Sequence, residues 1–299
     1  LHPYPATNAH TERAIAGSKM ATGTFANCAG GVTPWDTVLT CEENYHDFYG
    51  EREREGKPLV HGKLEWAKFY QNPPEHYGWV VEVNPKTGAA KKLTGLGRFS
   101  HECATCIRTK DGRVAVYSGD DKAGEFLYKF ISDSKNSLEK GELFVANTKD
   151  GKWISLAIEK SELLKKTFKD QTDVLVHARE AARLLGATPL DRPEDIEIHP
   201  KTGDVFICLT NNYGALNFHG KILKISESGN DHGSMSFKAS DFMLGGDHFS
   251  CPDNMVFDKW GHLWMSTDIS GGSMNKPPYM KFKNNGLFYI PTSGKLSGE

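Results

Sequence analysis

The chain has 299 residues, long enough to bury a large core and short enough to be one all-β domain. Its 36 basic and 38 acidic residues leave a formal net charge of -2, so no overall field draws it to nucleic acid or to an anionic membrane. Mean hydropathy is -0.51, and no apolar run approaches the roughly 20 residues that a bilayer-spanning helix needs.

In chain order, the first segment to stand out is 51–76, charged and broken by prolines, which reads as a surface insertion. Short β runs punctuated by turns follow: Trp79–Val83 with the turn Asn84-Pro-Lys-Thr-Gly88, then Phe126–Ile131, Lys221–Ile225 and Leu287–Ile290. Helical signal is confined to a second insertion over 158–186. A short helix is expected near Ile158–Lys166. A clearer one is expected over Thr172–Leu185, where Val174, Leu175, Ala178, Ala181, Ala182 and Leu185 recur at three-to-four spacing before Gly186.

An internal repeat organises the rest. The stretch from Pro193 to Asn211 aligns with Pro252 to Asp268, the second being two residues shorter in its turn. His101–Asp120 is a third copy, and Asn27–Glu43 a looser fourth. The two aligned copies read acid, short strand, Gly turn, aromatic-containing strand, Thr, then Asn or Asp. Copies start roughly 60 to 90 residues apart, the pattern of propeller blades with variable loops, although a sandwich or meander of hairpins shares it. The fold expected is an all-β propeller, one domain over 1–299.

Each copy opens with a possible metal ligand: Cys28, Glu102, Glu194 and Asp253. Each closes with another polar group: Glu43, Asp120 with Asp121, Asn211 and Asp268. Equivalent positions of successive blades converge on the propeller axis. Carboxylates held about 4 Å apart repel by about 4 kcal/mol at an effective dielectric near 20, so convergence predicts bound cations. Read singly, a lone cysteine is more commonly a small buried residue, and an acid opening a strand is often a turn cap. Asp120-Asp121 suits either a solvated turn or a hard cation such as calcium. Cys103 and Cys106 form a lone Cys-x-x-Cys with no second pair, and core packing accounts for them. Arg192 stands two residues before Glu194, on the same side of an extended segment, where it is either a salt bridge or a grip for a tetrahedral oxyanion. No zincin motif, Gly-x-Ser-x-Gly elbow or Walker loop occurs.

These segments resemble the PhoX-type alkaline phosphatases. The matching stretches are Asn27-Cys-Ala-Gly-Gly-Val-Thr-Pro-Trp35, Leu39-Thr-Cys-Glu-Glu-Asn44, Gly97-Arg-Phe-Ser-His-Glu102, Tyr117-Ser-Gly-Asp-Asp121, Leu127-Tyr-Lys-Phe130, the run from Leu184 to Asp195 ending in Arg-Pro-Glu-Asp, and Ser250-Cys-Pro-Asp253. The resemblance implies a secreted or periplasmic monomer with a six-bladed propeller that hydrolyses small phosphate monoesters and releases inorganic phosphate. It implies two ferric ions, two or three calcium ions and a bridging oxo group at the propeller centre. Cys28 would be the thiolate on iron, with Glu43, Glu102 and Glu194 as carboxylate ligands and Arg192 on the substrate phosphate. Glu102, Arg192 and Glu194 are the expected catalytic set. Asp120, Asp121, Asp195, Asn44 and Asp253 are candidates for calcium. The chain opens at Leu1 without a signal peptide and stops at Leu296-Ser-Gly-Glu299 as if mid-hairpin, so either blades are absent or this is a compact variant. Two rivals are a calcium-dependent propeller esterase or lactonase, with Asn211-Asn212 as natural ligands, and a non-catalytic propeller that holds calcium for stability.

Overall fold

The structure, a computed structural model, describes residues 3–5, 14–52, 54, 62–294 and 297–298. Four antiparallel meanders make up most of it. The first comprises β3 (Asn27–Val32), β4 (Val38–Glu42), β5 (Val80–Val83) and β6 (Ala90–Lys92). The second comprises β7 (Thr105–Arg108), β8 (Val114–Gly119), β9 (Leu127–Ser132), β10 (Gly141–Asn147) and β11 (Lys152–Ser155). The third comprises β12 (Pro193–Ile198), β13 (Val205–Leu209), β14 (Lys221–Glu227) and β15 (Phe237–Leu244). The fourth comprises β16 (Pro252–Phe257), β17 (Leu263–Thr267) and β18 (Leu287–Ile290). A small pair, β1 (Pro3–Pro5) with β2 (Met20–Thr22), lies beside β6 at the outer edge of the first meander.

Every repeat copy supplies the first two strands of one meander, so the repeat is the blade of a propeller. First strands sit side by side: β3 touches β7, β7 and β8 touch β12, and β12 touches β16. Hydrophobic faces of successive blades close on each other. Leu39, Cys41 and Val80 of the first meet Ala104, Val114 and Val116 of the second. Ala115, Tyr117 and Leu127 of the second meet Ile196, Ile207 and Leu223 of the third. Phe206 and Ile222 of the third meet Met255, Leu263 and Met265 of the fourth. Each Val, Leu, Ile, Phe or Met side chain among them contributes roughly 1.5–3 kcal/mol on removal from water. The blades form an arc, and among the described residues no sheet closes it from β16–β18 back to β3.

Two buried ion pairs stiffen the arc. Lys92 Nζ lies 2.7 Å from Glu42 Oε1, both side chains fully enclosed, while Glu42 Oε2 accepts the Gly78 and Trp79 amides. Lys129 of the second blade donates to Glu227 of the third at 2.9 Å, and Tyr117 Oη and Trp153 Nε1 donate to the same carboxylate. Removing one partner of such a pair strands a buried charge and costs about 3–5 kcal/mol.

The helices are short. α1 (Tyr45–Tyr49) follows the first blade's second strand. α2 (Glu162–Thr167) overlaps the second half of the first predicted helix, after a 3-10 turn at Ile158–Lys160, and is capped by Ser161 Oγ accepting from Leu164 N. The single helix expected over Thr172–Leu185 is two, α3 (Gln171–Val176) and α4 (Ala178–Leu184), broken at His177 (φ -112, ψ 42). Apolar spacing alone cannot register that break, because the periodic residues continue across it. After the break, Arg179 and Arg183 of α4 reach Asp120 and Glu125 of the second blade. The 51–76 insertion, of which residues 53 and 55–61 lie outside the described set, is tied down at its ends. Glu51 pairs with buried Arg98 at 3.0 Å, and Pro74 and His76 are buried.

Candidate metal centre

Four first strands bring the site together, and each does so with the same irregularity. In β3–β4 the partners run Asn27↔Glu42 and then Gly30↔Thr40, two residues opposing one. The same one-residue slip separates Pro193↔Leu209 from Ile196↔Ile207, and Pro252↔Thr267 from Met255↔Met265. It recurs between the bridge His101↔Asp120 and Thr105↔Tyr117. The extra residues are Cys28 with Ala29, Glu194 with Asp195, Asp253 with Asn254, and the run from Glu102 to Ala104. A bulge unpairs one residue and re-aims its side chain, so all four opening ligands of the repeat are turned out of the ladder at one level of the arc.

They converge on two overlapping groups. Cys28, Glu43 and Glu102 offer donor atoms within 4.8 Å of one another, and so do Glu102, Glu194 and Asp253. Glu102 belongs to both. Cys28 Sγ lies 2.9 Å from Glu102 Oε1. Burial raises the Glu102 carboxyl to about 7, with the charges of Asp121 and Asp253 adding to the effect against the Cys28 hydrogen bond. Glu43 is raised by burial, by Glu102 and by a hydrogen bond shared with Asp121. Glu194 is raised by burial and by its hydrogen bond to Asp253. The Cys28 thiol is pushed up by burial and by Glu102. Four elevated groups in contact are the mark of a site whose charge is meant to be balanced by cations. The donor set fits: a thiolate suits a transition metal, and a carboxylate cluster suits hard cations.

Arg192 stands at the rim. Its guanidinium reaches Asp121 through Nε–Oδ1 at 2.7 Å and Nη2–Oδ2 at 2.8 Å, and Glu194 Oε1 through Nη2 at 2.8 Å. Burial alone would lower its pKa, but Asp121 and Glu194 outweigh that and hold it above the ordinary arginine value. Its side chain is 32% exposed while both partners are nearly enclosed, and Cys28 is exposed as well, so the centre opens to solvent beside both residues. Arg192 has φ of 58, left-handed, directly before Pro193. That conformation costs on the order of 1–3 kcal/mol and persists only where surroundings impose it.

The expected ligands thus divide. Cys28, Glu43, Glu102, Glu194 and Asp253 are brought together, with Asp121 joined to them through Glu43 and Arg192. Asp120 is elsewhere: both its oxygens hold Arg179, at 2.7 and 2.5 Å, and Oδ1 also accepts the Ser100 amide. Asp195 accepts the Ile196 amide at Oδ1 and the Met255 amide at Oδ2, fastening the third blade to the fourth. Neither belongs to a metal-competent group among the described residues. Successive side chains of an extended segment face opposite sides, so Asp120 points away from Asp121 and Asp195 away from Glu194. Of the repeat's closing groups, Glu43 joins directly and Asp121 through Glu43 and Arg192, whereas Asn211 donates to Cys251 Sγ and Asp268 lies beside Asn285. Cys103 is enclosed in the core between the second and third blades, and Cys106 packs on the core between the first and second. The structural role of Arg179 had no sequence signal, since its partner Asp120 lies far away in the chain.

The profile of the family described as alkaline phosphatase PhoX matches residues 5–298. The chain belongs to the PhoX family. The solved PhoX of Pseudomonas fluorescens, in complex with vanadate, a transition state analogue, shares 33% identity and a TM-score of 0.84, covering 96% of this chain. This chain spans 63% of that PhoX structure's length. The tricorn protease also aligns, at 14% identity and a TM-score of 0.27 over 73% of this chain and 20% of that one, and carries no weight. No curated protein sequence matches. No helix among the described residues is long and apolar enough to cross a membrane.

Proposed function

We propose that this chain hydrolyses phosphate monoesters and releases inorganic phosphate at the cluster formed by Cys28, Glu43, Glu102, Glu194 and Asp253, with Arg192 as the substrate grip. The observation that carries this reading is the juxtaposition of an orientated, partly exposed guanidinium with two carboxylate-rich groups that share Glu102. It is supported by likeness to a PhoX that binds vanadate. Cys28, Glu43 and Glu102 would hold a thiophilic transition ion, for which ferric iron is our assignment. Glu102, Glu194 and Asp253 would hold a harder cation, for which calcium is ours. Bound there, such ions would neutralise phosphoryl oxygens and lower the pKa of water.

The chain's own residues do the rest. Nε and Nη2 of Arg192 are engaged by Asp121 and Glu194, so Nη1 is the nitrogen that would meet an oxygen of the phosphoryl group. Asp121 and Glu194 hold that plane before substrate arrives, so little ordering is left for the transition state. The enclosed walls around Glu102 and Glu194 keep bulk water from screening the interaction. We further place the protein outside the cytoplasm, as a monomer acting on small soluble esters.

The lactonase reading is less favoured, because the Asn212 side-chain oxygen that would ligate calcium accepts the Ala215 amide at 3.1 Å. The test is one preparation assayed on p-nitrophenyl phosphate and on phenyl acetate, with iron and calcium measured in the same sample. Phosphatase activity, falling about 100-fold or more in Arg192→Lys and Glu194→Ala, is expected. Esterase activity alone would establish the lactonase, and indifference to both substitutions would establish the scaffold.

A further inference from the structure

Resting on that reading, we propose that Asp191 is a positioning residue for Arg192, clamped by Asn212 and Asn217 so that the guanidinium is presented to the phosphoryl group in advance. Asp191 Oδ1 accepts from Asn212 Nδ2 at 2.8 Å and Oδ2 from Asn217 Nδ2 at 2.9 Å. Both amides are orientated by their other ends. Asn212 Oδ1 accepts the Ala215 amide at 3.1 Å, and Asn217 Oδ1 accepts the Gly220 amide at 3.0 Å. The nitrogens therefore face Asp191 by necessity. The two asparagines also pair through their backbones, Asn212 N to Asn217 O at 2.6 Å and the reverse at 3.0 Å. The clamp is thus a closed six-residue loop rather than two mobile side chains.

The other side of Asp191 is fixed as well. Ala123 bridges Asp191, Gly124 N donates to Leu190 O at 2.8 Å, and Leu190 N donates to Glu125 O at 2.9 Å. This stitch carries the 120–125 segment, and with it Asp121, to the Arg192 side chain. Thr210 N then holds Arg192 O at 3.1 Å. A left-handed residue before a proline has extended conformations that would suit it better, and each of them would swing the guanidinium away from Glu194. Asp191 spends both oxygens on neutral amides, so it sets direction and neutralises no cation.

Asp191→Ala should lower kcat/KM for p-nitrophenyl phosphate about tenfold or more, mainly through KM, as expected when a grip is misplaced by an ångström or less. Inhibition by inorganic phosphate and by orthovanadate should weaken by a similar factor, with iron and calcium content unchanged. Asn217→Ala removes one of the two bonds and should give an intermediate loss, which also serves if Asp191→Ala fails to fold. In an Arg192→Lys background, Asp191→Ala should add no more than about twofold, because the two act as one unit. A folded, metal-loaded variant whose KM and phosphate inhibition match the parent overturns the proposal, as does a loss of the same size with Arg192 already replaced. Wild-type protein inert toward p-nitrophenyl phosphate would instead sink the phosphatase reading, so the two failures are distinct.

Discussion

Glu102 sits between a thiol and two more carboxyls, and its charge can be tolerated there only if something positive intervenes. The consequence is a trade-off that can be read in a single substitution. Glu194→Gln keeps the side chain's shape but removes the carboxyl whose ionisation burial, Asp253 and Asp121 oppose, together with its ion pair to Arg192. In chelator-treated protein this variant should melt higher than the parent, since the repulsion it relieves is on the order of 1 kcal/mol or more. With metals restored, the order should reverse and activity should be lost, because a ligand is gone. Melting curves with and without iron and calcium decide it; equal shifts in both states would mean that the cluster carries no strain. The same scale explains which acids were legible. Glu194 and Glu102 stand at repeat positions, so the sequence alone places them together. The choice of Asp121 over its neighbour Asp120 turns on one peptide unit, which faces Asp120 to Arg179 and Asp121 to Arg192.

The strand-level device is the repeated bulge together with the small residues that let blades approach. Gly119 ends β8 where the backbone of the third blade passes: a Cβ there would lie 2.3 Å from Pro193 O and 2.6 Å from Glu194 O. Gly119→Ala should therefore push the second and third blades apart and cost at least about 2 kcal/mol, read from the urea midpoint. Gly271→Ala, in open space on a turn, serves as the control and should be neutral within about 0.5 kcal/mol. Loss of metal affinity should accompany the Gly119 variant, since Glu102 and Glu194 come from the two blades it separates. Equal midpoints for the two variants would contradict this account. Strand pairs were readable from the Gly turns and alternation, and Leu287–Ile290 matches β18 residue for residue. The bulges were not, because a bulge is a relation between two strands and leaves no mark in either one.

Across the whole arc, buried polar ties join blades that apolar faces also hold together. His232 is 5% exposed, with Nδ1 2.8 Å from Tyr117 Oη, in a chamber that also holds Lys129, Glu227 and Asp231. Burial, and then the Lys129 charge, lower its pKa to about 4. An unfolded histidine titrates near 6.5, so the unfolded state binds the proton first as pH falls. This stabilising contribution is complete above about 6.5 and is lost progressively toward 4, on the order of 3 kcal/mol at most. In metal-loaded protein, His232→Gln should flatten the fall of the urea midpoint between pH 7 and pH 4.5. An unchanged slope would assign the acid sensitivity to other groups.

The sequence by itself determined the blade: periodic strands, glycine turns and a recurring polar residue at each end are local properties, and local chemistry encodes them. It also determined which residue types could meet, since four copies of one hairpin put equivalent positions at equivalent places. Only the tertiary structure decided which of them do meet. The engagement of Asp120 by Arg179 and of Asp195 by the Met255 amide, the break at His177, the left-handed Arg192 and its Asp191 clamp all arise where segments distant in the chain press on one another. Such contacts depend on how blades pack side by side, and no single stretch of sequence contains that information.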